Sequence, residues 1–216
     1  MRNGSRIALL AAAAIVLSSC ASAPSRQAAP REPETGAPPA QAARTGEPAA
    51  PPAPKKVYTA KEREMLTLCV GMTDTAWTAA LQKKAGVSRE EARARFASTP
   101  KADLALATVD KVYQEEFKNP WDYAVRFFRE ECALELAHVP ADRARLAAYC
   151  MQNTMIASVA FRQRKAGATR EQAYKQFEAF KSETPRRIVD SVYTGTGDRG
   201  ATMLGEWESC IIPLSE

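Results

Sequence analysis

Residues 84–96 read KAGVSREEARARF, and 81 positions later residues 165–177 read KAGATREQAYKQF, with Lys, Ala, Gly, Arg, Glu, Ala and Phe on the same seven of thirteen places. Each stretch carries a helix stop and a helix start in close succession. Gly86 and Gly167 supply the left-handed residue that ends a helix, and Ser88 to Glu91 and Thr169 to Gln172 have capping-box spacing for the next one. A chain that repeats this punctuation predicts a repeated helical unit.

The rest of the repeat follows outward from there. Before the first stretch, Thr59 to Glu62 is a further capping box, and Met65, Cys69, Met72, Ala76 and Ala79 fall on one helical face. After it come a helix with Leu106, Val109, Val112 and Tyr113, and one opened by Asn119-Pro120, with Trp121, Val125, Phe128, Cys132 and Leu136 at helical spacing. The second half repeats the order. A helix begins at Pro140 with Leu146, Cys150, Ile156 and Ala160 inward; Val189-Asp190-Ser191-Val192-Tyr193 echoes Val109-Asp110-Lys111-Val112-Tyr113; Trp207, Cys210 and Ile211 close the last helix. The expected fold is all-α: a tandem duplication of a four-helix unit, residues 57–139 and 140–216, each with its own tryptophan anchor, Trp121 or Trp207. No alternating run with hairpin turn chemistry is present, so strand content should be close to nil.

The first 19 residues read as a targeting segment. Arg2 and Arg6 precede an apolar run, Ile7 to Leu17, that is too short to span a bilayer at roughly 20 residues. The run ends in Leu17-Ser18-Ser19-Cys20, which resembles the lipobox of bacterial lipoproteins. The resemblance implies cleavage before Cys20, diacylglycerol on its sulfur, an acyl chain on the new amine, and an address at the outer membrane facing the periplasm, because Ala21 and Ser22 stand where an inner-membrane retention Asp would. Several acyl chains anchor firmly where one is marginal. Residues 20–56 form the lipidated cysteine and a Pro/Ala-rich linker. From Ala21 to Lys56 there are nine prolines and eleven alanines, and no Val, Ile, Leu, Met or aromatic residue. Such a composition is expected to act as a tether reaching between about 35 and about 110 Å.

Four cysteines remain beside Cys20: Cys69 and Cys150 at one place in the repeat, Cys132 and Cys210 at another. Export makes disulfides the expected state, and of the three possible pairings only Cys69 with Cys132 and Cys150 with Cys210 respects the repeat. A metal site is not expected, since no two cysteines are close in sequence and the single histidine, His138, has no second ligand at helical spacing.

A formal charge of +5 spread over interleaved acids and bases gives no phosphate-binding strip, so nucleic acid is not an expected partner. Gly195 to Gly200 matches G-x-G-x-x-G but follows a helix and lacks the strand and the distant acid of a dinucleotide fold, so no small-molecule cofactor is expected. No nucleophile has a plausible base beside it, and no catalytic residue is assigned. The paired Asp110/Asp190 and Tyr113/Tyr193 are expected to be buried packing residues with helix-end hydrogen bonds. Where the halves differ, Trp77, Leu81 and Phe161 offer apolar groups in one copy alone, suited either to the joint between units or to a partner. The expected function is that of a non-catalytic, membrane-anchored envelope protein with a helical module for protein–protein interaction. The alternatives are an inhibitor or immunity lipoprotein neutralising a periplasmic enzyme, and an enzyme with an unrecognised site.

Overall fold

The two central helices are α1, Ala60–Lys84, and α5, Ala141–Lys165. In the computed structural model, which describes residues 55–216, each is followed by the punctuation read above. Thr59 caps α1 with a reciprocal capping box to Glu62. At the far end, Gly86 takes φ +79°, its N–H donating to Lys83 O while Val87 N–H reaches back to Gln82 O. Gly167 repeats this at φ +80°, with its N–H on Arg164 O and Ala168 N–H on Gln163 O. A residue with a Cβ would be strained there, so glycine stops both helices in the same way. Capping boxes at Ser88 and Thr169 then open α2, Arg89–Phe96, and α6, Arg170–Gln176.

α3, Ala102–Gln114, and α7, Thr184–Thr194, are tied back by a shared device. Lys83 Nζ donates to the carbonyls of Val112, Tyr113 and Glu115 at 3.3, 3.2 and 2.7 Å, covering the open C-terminal end of α3. Arg164 serves the end of α7 through Val192 O and Gly195 O. A cation at a helix C-terminus satisfies orphan carbonyls and meets the negative end of the dipole.

α4, Pro120–Phe127, starts on the Asn119 cap and runs into a π-helical stretch, Phe128–Leu136, with its i+5 bond seen at Ala137 N–H to Cys132 O, 2.8 Å. No sequence signal announces this wider helix. An i+5 ladder turns less per residue than an α-helix, so the later side chains fall behind their α-helical positions. Cys132 and Ala133 are buried, and Leu136, expected inward, is exposed. Leu146 is likewise exposed, because the inward face of α5 is carried by Ala147, Cys150, Met151 and Thr154 instead. α8, Arg199–Ile211, closes the chain on the side-chain cap of Asp198, with a short 3-10 turn Ile212–Leu214 after it. Gly195 to Asp198 therefore connects α7 to α8, and Arg199 and Gly200 open α8.

The described residues contain eight α-helices and no strand, only a single parallel bridge between Tyr58 and Ser215. Two disulfides cross the core: Cys69–Cys132 at 2.05 Å and Cys150–Cys210 at 2.09 Å. Each half has a small cluster of its own, around Val109 and Val112 in one and Ile188 and Val189 in the other. The largest cluster belongs to both, joining Leu66, Cys69, Val70, Phe128 and Cys132 to Cys150, Met151, Met155, Trp207 and Ile211.

The tryptophans reach beyond their own halves. Trp207, fully buried, sits edge-on to Phe128 at 6.0 Å and donates from Nε1 to Thr67 Oγ1 at 3.0 Å. Trp121 packs on Phe180 of the other half at 5.9 Å. Both lie at the junction, where an aromatic from each side covers apolar surface that the other side leaves open. The ends of this body are also joined. Val57 and Tyr58 N–H donate to Leu214 O, and Glu216 N–H donates to Tyr58 O. The buried Tyr58 hydroxyl donates to Arg143 O at 2.7 Å, and burial pushes its phenol up to about 12.

Candidate functional site

The residues singled out by the differences between halves separate once placed. Trp77 is 4% exposed, with its ring edge-on to Trp121 at 5.9 Å and the Arg162 guanidinium over its face at 4.5 Å. Burial and the neighbouring Arg199 both pull the Arg162 pKa down, and the aromatic face is the partner it has. Trp77 thus belongs to the junction. Phe161 is buried in the second half's own cluster with Ala173, Phe177 and Ile188, and it presents no surface. Leu81 is exposed.

The acids and tyrosines at matching places of the two halves have structural work. Asp110 accepts from Arg93 and lies 3.8 Å from Arg89, and Asp190 accepts from Tyr174 and faces Arg170 at 3.3 Å. They are half-buried ion-paired groups rather than the buried packing residues expected. Tyr113 donates to Val87 O at 2.9 Å, and Tyr193 donates to Ala168 O at 3.0 Å. Each tyrosine pins its helix to the loop behind the stop glycine. His138 is exposed at a helix end with φ +53°. Among the described residues no group of three His, Cys, Asp or Glu side chains is placed to hold a metal ion, and no helix is long and apolar enough to cross a membrane. Cys20 and the tether lie outside the described residues.

Among the hollows of the described residues, a groove on the first half that no motif announced has the most apolar lining. It runs between α1, the N-terminal two-thirds of α3 and the π-helical stretch, as two adjoining hollows of about 340 and 280 Å³ that share Met72 and Leu104. Phe127 and Leu136 line one, and Leu68, Phe96 and Gly71 the other. Lys111 stands at one end between Glu115 and Glu131 at 3.2 and 3.0 Å. At the other end Arg199, from the second half, holds Asp74 through both nitrogens at 2.8 and 2.7 Å beside Lys101. The ion pair raises the Arg199 pKa above its ordinary value. No family model, curated protein or solved structure matches the chain.

The groove's floor has a feature the fold does not require. Gly71 sits in the middle of a 25-residue helix, and a Cβ there would meet nothing within 4 Å. Glycine in a helix interior costs about 1 kcal/mol relative to alanine. Packing within the chain offers no return for that cost. Methionine at position 72 adds a flexible, polarisable side chain to the same surface.

Proposed function

We propose that this protein is a lipid-anchored, non-catalytic envelope protein, held at the outer membrane through Cys20 and facing the periplasm, whose helical module arose by tandem duplication and binds a protein partner through the first-half groove. The observation that carries this reading is a comparison of the groove with its counterpart. In the register of the cysteines, 81 residues separate Cys69 from Cys150, so Leu68 and Gly71 correspond to Tyr149 and Gln152. Eighty residues separate Val109 from Val189, so Leu104 and Ala107 correspond to Thr184 and Arg187.

In the second half the Tyr149 and Thr184 hydroxyls lie 3.3 Å apart, and Arg187 reaches Glu206 at 3.3 Å. Polar side chains thus line the place where the first half has an apolar hollow. The second half keeps a hollow of about 510 Å³ there, lined by Arg187, Ser191, Glu206 and Ser209, so the apolar lining and not the opening is what one copy has alone, and such a lining fits a surface kept for a partner. The shared core supports a single functional module in which the second half completes the first: Arg199 builds one end of the groove.

The test is photo-crosslinking in intact cells, with a photoreactive amino acid placed at Met72 or Leu104 and, as controls, at Asn153 or Thr184. Adducts to one protein from positions 72 and 104, absent from 153 and 184, are the expected result. An envelope component in the adduct supports the assembly role, and a toxic enzyme would convert the reading to inhibition. Absence of an adduct at both groove positions would remove the groove as the binding site.

A further inference from the structure

The groove's dimensions and its ends restrict what fits. From Lys101 to Lys111 it follows α3 for ten residues, about 15 Å at the α-helical rise, the length of roughly three helical turns. The middle is apolar, with Leu68, Met72, Leu104, Phe127 and Leu136. Gly71 leaves room at the floor for a backbone to come close. The ends have opposite sign: Lys101 and Arg199 outnumber Asp74 at one, and Glu131 and Glu135 outnumber Lys111 at the other.

We propose, resting on the protein-binding reading above, that the groove receives an amphipathic α-helix of the partner, laid parallel to α3, with an acidic first turn against Lys101 and Arg199 and a basic last turn against Glu131 and Glu135. Helices in this mode place apolar side chains at i, i+3, i+4 and i+7 into a hydrophobic groove. Acids in the first turn and bases in the last also complement the incoming helix's own dipole, so the charge order the groove selects is the one that stabilises its ligand. An extended strand would need an exposed sheet edge to pair with, and the described residues contain no strand.

The experiment uses the full chain, oxidised, with Cys20→Ala to keep it free of lipid. The probe is a fluorescein-labelled peptide of about 14 residues, with leucines at i, i+3, i+4 and i+7, a Glu pair in its first turn and a Lys pair in its last. Binding is read by anisotropy and by peptide helicity. Saturable binding is expected, weakened at least about fivefold when the Glu and Lys pairs are exchanged. Gly71→Gln, which installs the residue of the second half, should weaken it about tenfold or more, the equivalent of about 1.4 kcal/mol. Leu104→Glu provides a second variant at the shared wall, and circular dichroism confirms that each variant is folded.

No saturable binding, equal affinity for the charge-exchanged peptide, or indifference to both Gly71→Gln and Leu104→Glu would each overturn the proposal. Crosslinks at Met72 together with no helical-peptide binding would reject the helix while leaving the groove as the binding site. Absent crosslinks would reject both.

Discussion

Trp207→Ala tests whether the two halves are one body. The indole is fully buried in the cluster common to both halves, edge-on to Phe128 and hydrogen-bonded to Thr67 of α1. Removing a buried tryptophan costs about 3–5 kcal/mol in lost transfer energy and cavity. The lost Nε1 hydrogen bond adds at most about 1 kcal/mol, because Thr67 is only partly buried and keeps its own bond to Arg63 O at 2.8 Å. A total near 4 kcal/mol lowers Tm by roughly 8–16 °C for a domain of this size. The assay is thermal denaturation of the oxidised protein by circular dichroism, followed by hydrogen exchange under native conditions. The decisive readout is where protection falls. Because the indole rests on α1 and Phe128, amides of α1 should lose protection along with those of α5 and α8. A loss confined to residues 140–216, or a Tm shift of only a few degrees, would refute the shared core.

Four further outcomes are expected. Replacing Cys150 and Cys210 together by Ala opens a loop of sequence separation 60 and should cost up to about 4 kcal/mol in the chain-entropy picture, measured by urea denaturation. Burial pushes the Glu62 pKa up, but the bonds from Arg143 and from the Thr59 backbone and hydroxyl outweigh it and hold the carboxyl below its usual range. A group depressed in the folded state contributes stability above its unfolded pKa of about 4.3 that is lost as pH falls through the folded value, so Glu62→Gln should flatten the acid limb of the Tm–pH profile below that point. Gly71→Ala should raise stability by about 1 kcal/mol, read from the denaturation midpoint, since the added methyl meets nothing. Cys20→Ala should abolish incorporation of a palmitate analogue in cells, and equal labelling of variant and wild type would remove the lipid anchor from the proposed function.

Much of the local structure was legible because its signals are local. Capping boxes at Thr59, Ser88 and Thr169 and the stop glycines 86 and 167 act over four to six residues, and all stand where the spacing put them. The disulfide pairing was readable from register. The partners of Trp121 and Trp207 were not, since which half a tryptophan covers is decided by tertiary packing, and periodicity reports only that a side chain turns inward. Leu146 was misplaced for a related reason. α5 is packed tightly with small residues, Ala144, Ala147 and Ala148 among them, and a face made of alanines buries itself closely while drawing less notice than a leucine. The groove has one trace in the sequence: Leu68, Met72 and Thr75 recur at helical spacing around Gly71, the cysteine register sets Tyr149 opposite Leu68, and the Val109–Val189 register sets Thr184 opposite Leu104.

The π-helical stretch relates a difference in register between the two halves to the groove. From the cap Asn119 to Cys132 is 132 − 119 = 13 residues, whereas from the cap Asp198 to Cys210 is 210 − 198 = 12. On the proposed duplication, the first half carries one extra residue between helix start and cysteine. In an unbroken α-helix that residue would swing Cys132 away from Cys69. A wider i+5 ladder absorbs it, and the disulfide closes with Cα atoms 5.6 Å apart, against 5.5 Å in the second half, where α8 has no such stretch. The residues beyond the cysteine then lie rotated from their α-helical places, which brings Glu135 and Leu136 out to the wall of the groove. π-helical turns inside α-helices are frequent at functional sites. The same extra residue that the disulfide must accommodate therefore brings Glu135 and Leu136 to the end of the groove, whereas the hollow at the corresponding place of the second half, about 510 Å³, is lined by Arg187, Ser191, Glu206 and Ser209.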